Sequence, residues 1–162
     1  MSSLELVDVV DEFGRVVATV PRARMRAENL RHRAVFVLVL GTDGRVLVHR
    51  RSPDKDVWPG WWDLAVGGVV LAGEDYDDAV RRELAEELGI TGATPVPVSA
   101  GTYDDDQVRL VGRVYRLVHD GPFTFADGEV VAAEWVTAAE LAVRLARDPY
   151  LPDSRALVAP LL

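Results

Sequence analysis

Residues Gly67 to Ile90 read GGVVLAGEDYDDAVRRELAEELGI, and the fold is decided in this stretch. Acidic residues open its second half, and Gly89 stands where a left-handed residue ends a helix, so a helix is predicted from about Asp75 to Leu88. At about 100° per residue, Glu83, Glu86 and Glu87 fall at about 0°, −60° and +40°, placing three carboxylates on one stripe roughly 100° wide. Val80, Leu84 and Leu88 fall at about 60°, 100° and 140°, a neighbouring apolar stripe suited to packing on a sheet. The acids are therefore expected at the edge of the buried face, where their repulsion is least screened. Such pairs cost a few tenths of a kcal/mol each even when exposed. A hard cation such as Mg²⁺ or Mn²⁺ removes that cost, because it takes carboxylate oxygens and leaves sites for water and phosphate. The plain alternative is an exposed acidic helix with no ion.

Working outward, Glu5 to Val10 and Arg15 to Val20 read as strands of a hairpin turning at Asp11-Glu12-Phe13-Gly14. Pro21 to Arg33 holds five arginines over a short helix, read as a solvated face with phosphate binding as the alternative. Ala34 to Leu40 and Arg45 to His49 form a second hairpin whose first strand is apolar enough to be central. Further strands are expected at Asp63 to Val70, Val108 to His119 and Val130 to Val136. Thr137 to Glu140 reads as a capping box opening a helix to about Arg147, and Asp153 as the cap of a short last helix. Strands interrupted by helices imply an α/β protein with a mixed sheet covered on both faces.

Composition narrows the function. The 162 residues include 18 Lys+Arg and 26 Asp+Glu, a net charge of −8, which argues against an electrostatic partner such as long nucleic acid or an anionic membrane. With no cysteine, thiolate catalysis, disulfides and Cys-ligated zinc are excluded. The longest apolar run, Val35 to Leu40, cannot span a bilayer, and Met1 to Asp8 lacks the features of a secretory signal, so a cytoplasmic protein is expected.

The quoted stretch also contains Gly68-x5-Glu74-x7-Arg82-Glu83-Leu84-x-Glu86-Glu87-x-Gly89-Ile90, which resembles the signature of the Nudix hydrolase family at every specified position. The resemblance implies an α/β/α sandwich with a mixed β-sheet, here preceded by an N-terminal β-hairpin. A single domain over 1–162 follows, with the hairpin and short helix in 1–33 and the core in 34–162. It also implies Mg²⁺-dependent hydrolysis of a small nucleoside diphosphate linked to a group X, with a water activated by metal and carboxylate. By resemblance Glu86 and Glu87 are metal ligands, Glu83 is a ligand or the base, and the Gly67 carbonyl is a further ligand. Glu74, before the helix, and Arg82 read as scaffold, with Gly68 and Gly89 completing the motif. Glu134, or else Glu129, matches an extra acid of nucleoside-triphosphate-cleaving relatives, so Glu83, Glu86 and Glu134 are the catalytic candidates. Arg51 matches a phosphate-contacting arginine. Adjacent Arg50 faces the other way, so one of the two is expected to reach the site. A homodimer is expected only from family habit.

Outside the signature, Leu30 to Ala34, Leu47 to Lys55, Trp58 to Asp63 and the N-terminal hairpin resemble the isopentenyl-diphosphate isomerase branch of the same fold. Those isomerases need a cysteine and several histidine ligands. Here Gly67-Gly68-Val69 stands where they carry cysteine, glycine and histidine, and only three histidines exist. Without a thiol the isomerisation has no proton donor, so hydrolysis is preferred, and a nucleotide-binding domain without turnover is the other alternative. His32 matches one isomerase ligand and reads as a hydrogen-bonding residue near the site. Trp58 is an aromatic that could stack on substrate or anchor a loop, and it joins His32, Arg50 and Arg51 as a substrate-binding candidate.

Overall fold

The computed structural model describes residues 5–125 and 128–162; part of the Met1 to Asp8 stretch therefore lies outside the described residues. The apolar run at 34–40 belongs to a ten-residue strand, β3 (Arg31–Leu40), buried on both faces over most of its length. The earlier strands β1 (Leu6–Val10) and β2 (Val16–Pro21) form the expected hairpin, and α1 (Arg22–Ala27) follows. The remaining strands are β4 (Val46–Arg51), β5 (Trp62–Asp63), β6 (Val66–Val69), β7 (Val96–Asp104), β8 (Arg109–Val118) and β9 (Val130–Val136). Together the described residues build one nine-stranded mixed sheet.

One edge of β3 pairs in parallel with β8 along its whole length, and β7 adds to β8 antiparallel. The other edge meets three partners in turn: β1 at His32, β6 from Ala34 to Val37, and β4 at Leu40 alone. Beyond Leu40 and Val46 the strands part, and β4 turns to β5 and β9 instead. The expected second hairpin is thus splayed. Its opening becomes a cleft between β3 with β6 on one side and β4 with β5 on the other.

Alternation along β3 sends Val35, Val37 and Val39 to one face and Ala34, Phe36 and Leu38 to the other. The first face packs against α2 (Tyr76–Leu88); the second is covered by Leu141 of α3 (Ala138–Arg147) and by the region of α4 (Pro152–Leu157). That is a helix–sheet–helix sandwich.

Several elements depart from the sequence expectation. The strand expected at Asp63 to Val70 is divided into β5 and β6, and Arg31 to Arg33 join β3 rather than the helix. β7 was not read as a strand because its side chains are mostly exposed and Pro97 and Gly101 interrupt the alternation that marks half-buried strands. Asp153 does not cap α4: Leu151 holds the cap position, Pro152 opens the helix, and Asp153 is buried. Of the five arginines, Arg22 and Arg26 turn inward onto Asp56 and Arg33 pairs with Asp8, so the run is not a solvated face.

The close approach of β6 to β3 dictates Gly67: a Cβ there would stand 1.9 Å from the Val35 carbonyl oxygen. Gly67→Ala should therefore lose roughly 3 kcal/mol or more of stability, as overpacking against backbone does. Urea denaturation measures it, and an unchanged midpoint would show that β6 can move away from β3 at no cost.

Candidate active site

Helix α2 is punctuated as its sequence demands. The Asp75 side chain accepts from the Asp78 N–H at 2.7 Å, and Gly89, at φ 67°, lets Ile90 donate back to the Leu84 carbonyl at 3.1 Å. Its buried arc takes in Ala79, Val80, Glu83, Leu84, Glu87 and Leu88, which on the angles above runs from about −40° to about 140°. Glu86, at about −60°, falls just outside that arc. The acidic stripe is accordingly split rather than lying at the edge: Glu83 and Glu87 are 2% and 4% exposed, while the Glu86 side chain is 39% exposed.

Arg82 ties this helix to the loop before it. Its Nε and Nη2 donate to the two carboxylate oxygens of Glu74, each at 2.9 Å, Nη2 also reaches the Val69 carbonyl at 2.9 Å, and Nη1 holds Glu83 Oε1 at 2.8 Å. Glu74 Oε1 additionally accepts from the Leu71 N–H at 3.0 Å. The first hairpin braces the same loop, since Asp8 of β1 accepts from the Gly73 N–H and from Arg33, both at 3.0 Å, and Arg33 in turn donates to the Glu74 carbonyl at 2.9 Å. Gly68 leaves room for the acids, because a Cβ there would lie 2.7 Å from Glu83 Oε1.

Burial works against charge in this cluster. Burial pushes Glu83 up to about 7, with Arg82 opposing and Glu86 and Glu129 reinforcing. It raises Glu87 well above the carboxylate range too, with the charges of Glu83 and Glu129 adding to it. Glu87 Oε2 is buried and has no hydrogen-bond partner among the described residues.

The splayed cleft adjoins these acids at Gly67 and Gly68, encloses about 540 Å³ including its open mouth, and is lined on its other side by Arg51, Lys55, Trp58 and Asp63. Arg51 donates to the Val57 carbonyl at 3.1 Å and keeps a buried Nε without a partner among the described residues, whereas Arg50 is exposed and donates to the Gly60 carbonyl. Lys55 pairs with Glu129 at 3.3 Å, both largely shielded from solvent. His32 and Trp58 line the cleft as well, each at most 5% exposed.

Glu134 is not brought to this place. In β9 it sits opposite Val48, on the sheet face covered by α3, where Arg144 binds its carboxylate. Glu83 and Glu87 approach the sheet from the α2 face. Glu129, whose charge is felt by both Glu83 and Glu87, is the later acid near the cluster. By its parity on β9, Glu134 therefore does not share the face from which Glu83 and Glu87 approach.

Lys55 and Asp63 had no expected part in a site, Asp153 was expected only as a helix cap, and Arg22 and Arg26 carried phosphate binding only as an alternative; all five line the cleft. Arg22 and Arg26 lie one turn apart on α1 and the other three come from separate stretches, so no spacing groups the five. Among the described residues no three His, Asp or Glu side chains converge as a ready metal cage. The donor set nonetheless suits a hard cation: a buried carboxylate oxygen without a partner beside a second buried carboxylate and a glycine backbone. Among the described residues, no helix is long and apolar enough to cross a membrane.

Comparison with known proteins agrees with this geometry. Residues 30–159 match the NUDIX domain family model, leaving the first hairpin and α1 outside the match. The uncharacterized Nudix hydrolase YfcD of Escherichia coli is 39% identical over 154 residues, covering 95% of this chain and 84% of that protein. The uncharacterized Nudix hydrolase SCO1686 of Streptomyces coelicolor is 41% identical over 162 residues, covering 99% and 90%. Among solved structures, DR0079 from Deinococcus radiodurans superposes with a TM-score of 0.82 at 29% identity, over 97% of this chain and 96% of that one. A helix bearing the complete acid motif, its loop pinned by Glu74 and Arg82, within a sandwich that such relatives share end to end, establishes that the chain belongs to the Nudix hydrolase family.

Proposed function

We propose that this chain is a divalent-metal-dependent pyrophosphohydrolase that cleaves a diphosphate linkage in a small nucleoside diphosphate-X or a related compound. The observation that carries the reading is Glu87 Oε2, buried without a partner beside buried Glu83 at the edge of a cleft lined with cations. Leaving such a group uncompensated is costly, and a hard cation is the partner that suits it. Glu83, Glu86, Glu87 and the Gly67 carbonyl would hold Mg²⁺ or Mn²⁺. The bound ion supplies charge neutralisation of the diphosphate and a water of lowered pKa.

The chain's own groups do the rest. Arg82 holds Glu83, while Glu86, 3.5 Å from the same guanidinium, is partly exposed and would turn its carboxylate towards the ion. Arg51 and Lys55 bring positive charge to the phosphates, with Arg51 the member of the arginine pair that reaches the cleft. Glu129 takes the part the family resemblance assigned to Glu134, an acid able to accept a water proton. Trp58 and His32 border the bound substrate, and Glu74 and Arg82 keep the loop in register with the helix.

A phosphate-release screen over nucleoside di- and triphosphates, nucleotide sugars, dinucleoside polyphosphates, coenzyme A and prenyl diphosphates tests the activity, and an intact protein with no metal-dependent turnover on any of them would refute it. Glu87→Gln should lower kcat by at least about 100-fold yet raise the metal-free melting temperature by roughly 2–4 °C, the shift about 1 kcal/mol produces in a chain of this size. Glu129→Gln should lower kcat by about 100-fold, while Glu134→Gln leaves it nearly unchanged; the reverse order in steady-state kinetics would restore Glu134.

The raised carboxyls also set the pH dependence of stability. Glu83 and Asp63 are pushed up to about 7 and Asp153 to about 6, in each case by burial first. The folded state therefore binds more protons than the unfolded one, so their contribution is complete below the unfolded carboxylate range and is lost as pH rises towards 7. With chelator present the melting temperature should fall between pH 5 and pH 7.5, and Mg²⁺ should suppress much of that fall. A flat or rising metal-free profile would contradict the buried-acid cluster.

A further inference from the structure

Part of the cleft is built from groups that hydrolysis does not use. Trp62 donates to the Pro149 carbonyl and Leu151 to the Trp62 carbonyl, both at 2.9 Å, so β5 runs beside the chain entering α4 and brings Asp63 next to Asp153. Both carboxyls line the cleft and both are more than nine-tenths buried. The backbone fixes one oxygen of each: Asp63 Oδ1 accepts from Ala65 at 3.1 Å and Asp153 Oδ1 from Ser154 at 2.8 Å. Among the described residues neither has a salt-bridge partner within 4.0 Å. Asp153 adds to the burial that raises Asp63, opposed first by the Ser154 side chain and then by Arg51; at Asp153 the Ser154 N–H and then Arg51 oppose the shift. For the fold alone two neighbouring buried acids are a burden, which asparagine or serine in their place would relieve.

His32 adds a third acceptor. Its Nδ1 lies 3.1 Å from the Leu30 carbonyl, which can only accept, so Nδ1 carries the hydrogen. Burial first, and then the charge of Arg26, hold the ring neutral by lowering its pKa to about 3. Nε2 is left as an acceptor, on a ring that is 2% exposed and lines the cleft. The same cleft holds the Trp58 indole, on a backbone at φ 44° that non-glycine residues seldom adopt. One cleft thus combines donors in Arg51 and Lys55, three acceptors, and an aromatic side chain.

We propose that Asp63, Asp153 and His32 form a subsite for the amino-bearing edge of a nucleobase, so that the chain selects adenine, cytosine or guanine nucleotides over uracil and hypoxanthine ones. The inference rests on the diphosphate-hydrolase reading of this cleft and deepens it. An exocyclic amino group presents N–H donors to acceptors, whereas the carbonyl of uracil turns lone pairs towards them. Sites built on buried hydrogen-bonding groups reject ligands that leave those groups unpaired. Phosphates would meet Arg51 and Lys55 while the base turns to the carboxyls, with Trp58 bordering its ring.

Calorimetric binding of AMP, CMP and GMP against UMP and IMP to the full chain, without metal and at pH 8, above the range to which burial raises Asp63 and Asp153, tests the subsite apart from turnover. The amino-bearing nucleotides should bind at least about tenfold more tightly, the least that a hydrogen bond to a charged group contributes. Asp63→Asn and Asp153→Asn should erase that preference without lowering the melting temperature, and Glu87→Gln should keep it. Equal binding of all five nucleotides would overturn the subsite, and so would phosphoethanolamine binding as tightly as AMP. Should both aspartate variants fail to fold, the comparison on the unaltered protein still decides. If the preference is present but no diphosphate is hydrolysed, the hydrolase reading falls and the subsite stands.

Discussion

The Arg82 guanidinium is the contact on which the site depends. It binds both oxygens of Glu74, the Val69 carbonyl and Glu83 Oε1, joining the end of β6, the loop after it and the helix in one network. A planar group with five fixed donors can do this where a lysine could not, because each donor meets a different acceptor at a set angle. The loop it holds is also buttressed by Asp8 from the first hairpin. Elements that lie outside the matched family range therefore contribute to the geometry inside it.

Charge is organised against its own overall sign. The chain carries a net −8, yet the cleft wall facing the acids presents Arg51 and Lys55. Glu83 and Glu87 lie among apolar side chains of α2, where burial first raises the proton affinity of both and the charge of Glu83 adds to the rise at Glu87. This arrangement stores destabilisation at the site and is tolerated because β3 and its neighbours supply a continuous apolar core on both faces. On the proposed reading, a small diphosphate accompanied by a cation would meet a local field opposite in sign to the acidic surface that a long polyanion meets.

Much of the frame was legible. The burial of β3 on both faces, the caps of α2 at Asp75 and Gly89, and the capping of α3 by Thr137 all follow from local patterns that the chain obeys. Where reading failed, a non-local contact had intervened. β7 is paired to β8 by hydrogen bonds that exposed side chains do not announce, Asp153 was drawn from a cap into a pocket wall, and Arg22 and Arg26 found Asp56 across the fold. Gly67 and Gly68 illustrate a subtler case: expected as a carbonyl ligand and as a motif position, they are required by the Val35 carbonyl and the Glu83 carboxylate packed against them.

By itself, then, the sequence determined the helix, its caps, the helical angles of its three acids and the family to which they belong, because these depend on residues at most a few turns apart. It could not determine which acids would be buried, since that turns on where the sheet lies relative to the helix: a tilt of the buried arc sheltered Glu83 and Glu87 and left Glu86 facing out. Nor could it choose between Glu129 and Glu134. Their places were set by strand parity and by the parting of β3 from β4 after a single paired position, which opened a cleft and gathered into it residues scattered from Arg22 to Asp153. Spacing along the chain carries no record of such a gathering, because it arises from the way distant strands pair.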